Sequence, residues 1–262
     1  MSPSPAGKSD PLDALSVARA ALREPDLPVA RLDGVERELR LLVDHREDLL
    51  VDRTGHQERL RWFLAELGIA EPPARSLDRR VVLDRLEAEL GPRTEPVARF
   101  ARDLLGRIRE LTVAINALER EIELLARRMA PSLLTLPGCG PLTAAKLVGQ
   151  TGGVDRFRSR AAFARHNGTA PVPVWSGNTV CHRLSRGGDR QLNVALHRIA
   201  VTQLQREGPG REYVARRMAA GNTKTEAIRA LRRHLSNVVL ERLRTDDASR
   251  AAAAVALTAV AA

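Results

Sequence analysis

Two long helical patterns constrain this chain more than any other feature of its sequence. Between residues 95 and 129, apolar side chains recur every three or four residues in an almost unbroken heptad register. The positions on this stripe are Phe100, Leu104, Ile108, Leu111, Ile115, Leu118, Ile122 and Leu125. Residues 32–67 repeat the pattern, with polar interruptions at Arg46, Arg53 and His56. Because an apolar stripe must pack against another helix, we predict an arm, either an antiparallel pair within one chain or a dimeric coiled coil.

The remaining apolar patterns are also helical, so the predicted fold class is mainly α. Residues 10–23 begin at Asp10, with Pro11 where proline is favoured at the start of a helix. Further helices are predicted at 77–90, 159–166, 189–206, 211–219 and 223–244, with an Ala-rich helix after a polar joint in 246–262. Ser159 is a predicted N-cap, and Ala162 and Phe163 are expected to face inward. The strand signal is limited to a small ribbon at 171–175 and 180–184.

A glycine-rich turn, Pro137-Gly138-Cys139-Gly140-Pro141, separates two helical segments after the arm. Two glycines one residue apart allow backbone conformations that a side chain would prevent. The helix after the turn would present backbone N–H groups to a phosphate, with Thr143 or Cys139 satisfying some of them. Lys146 would add a positive charge. We therefore predict a hairpin turn that binds nucleic acid through Gly138, Gly140, Thr143 and Lys146.

Positive charge is concentrated in the segment that contains this turn. Residues 131–244 hold 19 Lys/Arg and 6 Asp/Glu, whereas the rest of the chain holds 23 and 26. This asymmetry predicts a nucleic-acid-binding domain whose arginines contact phosphates rather than bases, although a solvated basic face is the alternative. The candidate contacts are Arg183, Arg186 and Arg190, which follow the Ser176-Gly177 step, and Arg229, Arg232, Arg233 and Arg242 in the last helix.

Cysteine content and hydropathy argue against other classes of protein. The two cysteines show no C-x-x-C pattern, which disfavours a disulfide framework or a structural zinc site. His166, His182 and His197 lack the spacing of metal ligands. No signal peptide is recognisable, and no apolar run reaches the roughly 18–20 residues of a membrane span. The expected location is therefore cytoplasmic, with no membrane partner.

Four blocks of the sequence together resemble one protein family. They are GKSDPLDALSVARAAL, PGCGPLTAAKLVGQTGGVDRFRSRAAFARHNGTAPV, the Ser176-Gly177 step and RGGDRQLNVALHRIA. This combination resembles the DEDD transposases of bacterial insertion sequences, the insertion-sequence one-ten family, which are akin to the Piv DNA invertases. The resemblance covers roughly residues 7–244, and the carboxy-terminal block is its most specific part.

The resemblance implies a DNA transposase or recombinase with a RuvC-like α/β domain, in which four acidic residues hold a divalent metal, expected to be Mg²⁺. It implies that Ser176 is the nucleophile, and that Asp10 and Asp13 are the last two acids of the tetrad and ligands of the metal. Double-stranded DNA, a structured guide RNA and a homo-oligomer, either dimer or tetramer, are the implied partners. The implied domains are the end of the RuvC-like domain (1–24), the coiled-coil arm (25–130), an α-helical transposase domain with a helix-hairpin-helix and the serine loop (131–245), and an Ala-rich tail (246–262).

The strand with the first acid of the tetrad, and the later glutamate, are not found in this sequence. We therefore expect a misassigned gene start, a truncated remnant or one half of a split protein, and no autonomous DNA cleavage. Two other functions remain. One is a non-catalytic, oligomeric nucleic-acid-binding protein. The other is a tyrosine recombinase that uses Tyr213, and it is disfavoured because no convincing His-x-x-Arg precedes this tyrosine.

Overall fold

The computed structural model describes residues 10–24, 27, 29–31, 33–73, 75–176, 179–184 and 187–261, with the backbone alone for 174–176, 179–184, 257 and 259–261. The helices are α1 (Asp10–Arg23), α2 (Gly34–Glu66), α3 (Arg80–Leu90), α4 (Pro96–Met129), α5 (Pro131–Leu134), α6 (Pro141–Thr151), α7 (Arg160–His166), α8 (Arg190–Gln205), α9 (Pro209–Ala219) and α10 (Lys224–Ala261). Two strands, β1 (Pro171–Ser176) and β2 (Thr179–Leu184), form an antiparallel ribbon. The mainly α fold is confirmed.

The two long helices, α2 and α4, pack antiparallel within one chain. Arg46 Nε donates to Glu119 Oε1 at 2.9 Å, and Arg53 donates to the Thr112 hydroxyl at 3.2 Å. The second contact lies seven residues later in α2 and seven residues earlier in α4, so the two helices run in opposite directions. Of the two arrangements left open by the sequence, the intrachain pair is the one observed. Heptad packing of the coiled-coil kind stays a prediction.

The outer end of the arm has its own apolar core, built from the end of α2, all of α3 and the start of α4. Because α3 also packs on α4 there, the buried face of α4 turns toward Ala98, Ala101 and Leu105. Phe100 was predicted on the buried stripe, but its side chain is 46% exposed. It lies beside Phe63, with ring centroids 6.2 Å apart.

A larger core joins the base of the arm to α5–α10. Helix α6 crosses α2 closely, since a Cβ on Gly149 would lie 2.8 Å from the backbone nitrogen of Arg40. Leu39 and Val43 of α2 and Ile122 of α4 belong to the same apolar cluster as the centre of α8 and α10. This apolar core therefore contains residues from both sides of residue 130, where a domain boundary is predicted.

Helix α10 continues to Ala261 without the polar joint predicted near residue 246. Asp246 is 2% exposed and accepts a hydrogen bond from the backbone N–H of Ser132 at 2.9 Å. Asp247 pairs with Arg31 at 3.1 Å and with Arg250 at 2.6 Å. Because these carboxylates have partners when the segment is helical, their polarity does not interrupt the helix. A joint at this place was a wrong prediction.

Candidate nucleic-acid interface

The glycine-rich turn lies between α5 and α6 and packs against α8. Gly138 has a φ of +86°, and a Cβ there would lie 3.0 Å from the carbonyl oxygen of Ile199. The Gln203 side chain donates to the Pro137 carbonyl at 2.7 Å, which ties the turn to α8. A Cβ on Gly140 would meet no atom within 4 Å. Gly138 is therefore required both by its positive φ and by the close approach of α8, whereas a side chain at Gly140 would meet no neighbouring atom.

Gly140 is the N-cap of α6, and no side chain caps this helix. The predicted caps from Thr143 and Cys139 are therefore wrong. Cys139 is only 4% exposed, and burial raises the pKa of its thiol to about 12 because the thiolate would lose its hydration. Gly140 and the start of α6 remain accessible at the surface, whereas the cysteine belongs to the core.

Lys146 lies inside the protein rather than on the outer face of α6. Its side chain is 3% exposed, and Nζ lies 2.5 Å from Glu47 Oε1 and 2.7 Å from Gln191 Oε1. Glu47 comes from α2, so this ion pair fastens α6 to the arm. In this arrangement the ammonium is committed to protein partners and is not offered to a phosphate.

The Ser176 position lies at the far end of the β ribbon. In the ribbon register, Ser176 pairs with Thr179, and Arg183 pairs with Val172 nearer the base. The description of Ser176 and Arg183 covers the backbone alone, and Gly177 and Arg186 lie outside the described residues. Arg190 begins α8 and is exposed beside a cleft of about 320 Å³ that also contains carboxylates of α2. Of the predicted arginines, Arg183 thus lies on the ribbon and Arg190 at the start of α8.

A buried polar network fixes the base of the ribbon. Asn167 is fully buried, its amide donates to the Ser236 hydroxyl at 2.8 Å, and its Oδ1 accepts from the Thr169 N–H at 3.1 Å. Asn193 donates to the Asn167 carbonyl at 2.9 Å and accepts from Arg232 at 2.9 Å. Buried polar groups with satisfied hydrogen bonds specify one geometry. The foot of the ribbon is thereby attached to α8 and α10.

The two feet of the ribbon also touch through glycine backbone. Gly168 has a φ of +69°, and a Cβ on Gly188 would lie 2.2 Å from the nitrogen of Gly168. The Asp189 N–H donates to the His166 carbonyl at 2.6 Å, and the Asp189 carboxylate caps α8 by accepting from the Leu192 N–H. Only a residue without a Cβ permits this approach, so the entry and the exit of the ribbon are held together.

A basic cleft of about 720 Å³ opens beside the base of the ribbon, between α9 and the outer face of α10. Its cationic side chains are Arg217 from α9 and Arg229 and Arg233 from α10. Glu226 also lines it, but its carboxylate accepts from the N–H and the hydroxyl of Thr223 and so caps the start of α10. These hydrogen bonds lower the pKa of Glu226. The cleft therefore presents three guanidinium groups against one carboxylate already bound to backbone.

The sequence interpretation found part of this cleft. Arg229 and Arg233 were predicted contacts, and their spacing of four places both on one helix face. Arg232 instead points toward α8, and burial, followed by the charge of Arg229, lowers its pKa. Arg242 donates to the Ser132 carbonyl. Arg217 was missed, because nothing local to α9 shows which neighbour it faces.

Tyr213 and His234 form one wall of the cleft by stacking. Their ring centroids lie 5.8 Å apart with planes inclined by 17°. Tyr213 was considered as a nucleophile from its sequence alone, and its ring contact with His234 was not anticipated. The histidine lies on the next helix, so no spacing within the sequence reveals the pair.

Asp10 and Asp13 lie in the first turn of α1, whose residues are all exposed. Within the described ranges, no three His, Cys, Asp or Glu side chains stand close enough together to hold a metal ion. Mg²⁺ usually keeps several waters and takes one or two carboxylates together with substrate phosphates, so Asp10 and Asp13 could supply two of its ligands. No group of three such side chains is found among the described residues, and we derive no chemical step through the metal. Among the described helices, none combines the length and apolar character of a membrane span.

Comparison with known proteins finds similarity to the transposases of insertion sequences. Residues 130–215 match the family model described as transposase, IS116/IS110/IS902 family. These residues contain the glycine-rich turn, the ribbon, α8 and most of α9. Over this domain the chain is therefore similar to the IS116/IS110/IS902 transposases.

Similarity to curated proteins extends beyond the matched domain. The insertion element IS116 uncharacterized 44.8 kDa protein of Streptomyces clavuligerus is 28% identical, over 91% of this chain and 71% of its own length. The insertion element IS110 uncharacterized 43.6 kDa protein of Streptomyces coelicolor is also 28% identical, over 96% of this chain and 75% of its own. The transposase for insertion sequence element IS1328 of Yersinia enterocolitica is 28% identical, over 88% and 67%. The similarity therefore reaches beyond residues 130–215 in all three relatives.

Proposed function

We propose that this chain is an insertion-sequence transposase that binds DNA along the basic cleft and uses Ser176 as its nucleophile. The observation that carries the proposal is the position of the cleft at the foot of the ribbon, whose far end is Ser176. A phosphate backbone lying against Arg217, Arg229 and Arg233 would be neutralised without base-specific contacts. The same strand could continue along the ribbon toward the serine.

In the proposed chemistry, the Ser176 oxygen attacks a DNA phosphorus and displaces a DNA oxygen. A serine–phosphate ester forms, and the displaced DNA oxygen leaves as a hydroxyl with the proton that the serine gave up. Another DNA hydroxyl then attacks the same phosphorus, which joins two DNA ends and releases the serine with a proton. Serine is a weak nucleophile at its ordinary pKa and requires activation. Arg183 and Arg186 of the ribbon segment are the proposed groups that neutralise the phosphate as charge develops, and Arg190 adds charge at the start of α8.

The resemblance supports the remaining partners. We propose that Asp10 and Asp13 contribute to a Mg²⁺ site in which they are two members of a larger set. Bound Mg²⁺ would polarise the phosphate. The family resemblance also supports a structured guide RNA and a homo-oligomer as partners. On the resemblance we further propose that residues 1–24 are the end of a RuvC-like domain, that the glycine-rich turn belongs to a helix-hairpin-helix, and that the arm is a coiled coil.

The DNA-binding part is tested by the salt dependence of affinity. Each lost phosphate contact reduces the slope of log K against log salt by about 0.9 for duplex DNA. The double variant Arg229→Ala/Arg233→Ala should therefore lower the slope by about 2 and weaken binding to every duplex sequence alike. Arg80→Ala/Arg120→Ala removes the same charge from exposed positions on α3 and α4 and serves as the control. Equal slopes for the two double variants would contradict binding in the cleft.

A second candidate function is nucleic-acid binding without cleavage by this chain alone. The full exposure of α1, which carries Asp10 and Asp13, favours it. The two functions differ in one product. Incubation with DNA and Mg²⁺, followed by denaturation, would reveal a covalent protein–DNA adduct if the serine reacts. An adduct that Ser176→Ala abolishes supports the transposase acting alone. Salt-sensitive binding with no adduct supports the non-catalytic function.

A further inference from the structure

A second cleft lies on the other side of the stacked rings of Tyr213 and His234. Its volume is about 640 Å³, which lies within the usual range of small-molecule pockets, roughly 300–1,000 Å³. Both rings line the basic cleft and this second cleft, so the stacked pair is a shared wall. The two clefts are therefore neighbours separated by two aromatic rings.

The second cleft, called here the apolar pocket, differs from the basic cleft in its lining. Leu231, Leu235 and Val238 of α10 form its floor, and Leu136 and Pro137 of the glycine-rich turn close one side. Leu231 and Leu235 are buried, whereas Val238 is half-buried. The floor is thus an apolar surface of the core that remains open on one side, next to the turn that was first predicted to bind phosphate.

Cationic groups stand at the mouth of the apolar pocket. Arg206 at the end of α8 and Arg216 of α9 are both exposed there, and Glu207 is the single acidic residue in the lining. An apolar interior with a cationic mouth suits a ligand that has a flat, weakly polar part attached to an anion. A nucleotide has this composition, since its base stacks on aromatic faces and its phosphate pairs with arginine.

We propose that the apolar pocket receives one nucleobase turned out of a nucleic acid that lies in the basic cleft. The inference rests on the proposed DNA-binding function. His234 is exposed, and its ring stacks on the half-buried ring of Tyr213. A base that leaves the basic cleft would pass this pair of rings to enter the apolar pocket. Removing a base from its stack is least costly where the base is unpaired. The preferred substrate should therefore contain an unpaired nucleotide.

The test compares two DNA duplexes that differ by one base. Each carries a single bulged nucleotide, which is intact in one duplex and abasic in the other, and binding to the full chain is measured at one salt concentration. Stacking of one base on an aromatic side chain strengthens binding by about 1–3 kcal/mol. The duplex with the intact bulge should therefore bind about tenfold more tightly than the abasic one. Equal affinity for the two duplexes would overturn the base pocket.

Two variants locate the effect in the apolar pocket. Val238→Trp would fill the half-buried edge of the floor, and His234→Ala would remove an exposed ring without disturbing the core. Both should reduce the tenfold preference toward unity. Val238→Trp, which lies outside the basic cleft, should also leave affinity for the abasic duplex unchanged. Arg229→Ala/Arg233→Ala should weaken both duplexes by the same factor and keep the preference. A preference that survives in both pocket variants would refute the location.

The outcomes separate this inference from the function on which it rests. Failure of the wild-type chain to bind either duplex would refute both. Salt-sensitive binding without preference would refute only the base pocket. If Val238→Trp changes the oligomeric state in size-exclusion chromatography but not the preference, the pocket holds a side chain of a second copy, and the inference is wrong.

Discussion

The ion pair between Lys146 and Glu47 predicts an asymmetric response to mutation. Lys146 is 3% exposed, whereas the Glu47 side chain is 28% exposed. Glu47→Gln leaves a buried ammonium without its countercharge. Lys146→Met leaves a carboxylate that water reaches, and places an apolar chain of similar length in the interior. The lysine is therefore the partner that depends more on the pair.

The burial sets the expected magnitudes. Removing one member of a buried pair costs about 3–5 kcal/mol when the remaining charge has no compensation. Glu47→Gln should approach the lower end of this range, about 3 kcal/mol, because Gln191 still accepts from the ammonium at 2.7 Å. Lys146→Met should cost about 1–2 kcal/mol, since the remaining carboxylate is partly hydrated and an apolar group replaces the buried charge. The double variant Lys146→Met/Glu47→Gln should be less destabilised than the sum of the two single changes.

Urea unfolding followed by far-ultraviolet circular dichroism measures these costs. Arg80→Met is the matched control, since its side chain is 90% exposed and should change stability by less than about 0.5 kcal/mol. A larger loss for Lys146→Met than for Glu47→Gln would contradict the buried geometry. So would a stable Lys146→Met variant with a reduced salt slope for DNA binding, because it would show that the ammonium contacts phosphate.

Two further predictions concern the base of the ribbon. Gly188→Ala should destabilise the protein by more than about 1 kcal/mol in urea unfolding, because its Cβ would lie 2.2 Å from backbone across the ribbon; Gly187→Ala meets nothing within 4 Å and should be nearly neutral. Burial, then the charge of Arg156, lowers the pKa of His166, with Asp189 opposing. Since the unfolded state then binds the proton more readily, stability should fall as pH drops below about 6.5 and then level off below the lowered pKa. His166→Gln should reduce the difference in urea midpoint between pH 7.5 and pH 5.5, and an unchanged difference would contradict this role.

The helices were predictable because their signals are local. Heptad spacing located α2 and α4, and Ser159 was correctly predicted as the N-cap of α7, where its hydroxyl accepts from the Ala162 N–H at 3.1 Å. Ala162 is nevertheless exposed, and Ala164 is the buried neighbour of Phe163. Helical spacing identifies a face, but the partner helices decide how wide the buried face is.

Contacts between distant segments were not predictable from the same patterns. The local sequence around Lys146 is compatible with a lysine that faces solvent. Its ammonium is instead buried beside Glu47, which lies 99 residues earlier in the chain. The basic cleft combines the foot of the ribbon, α9 and α10, and the apolar pocket combines the glycine-rich turn with α8, α9 and α10. Composition indicated that this half of the chain is basic, but only the fold assigns each arginine to a cleft or to the interior.

These contacts divide residues 133–190 into two parts with different roles. The first part packs into the core: Lys146 joins α2, Gly149 crosses α2 closely, and Gly138 approaches α8. The second part rises from the Asn167 network as a ribbon beside the basic cleft. A change in the first part should therefore act through stability and affect every function in proportion to unfolding. Under the proposed function, a change at the end of the ribbon should leave folding intact and affect the reaction of Ser176.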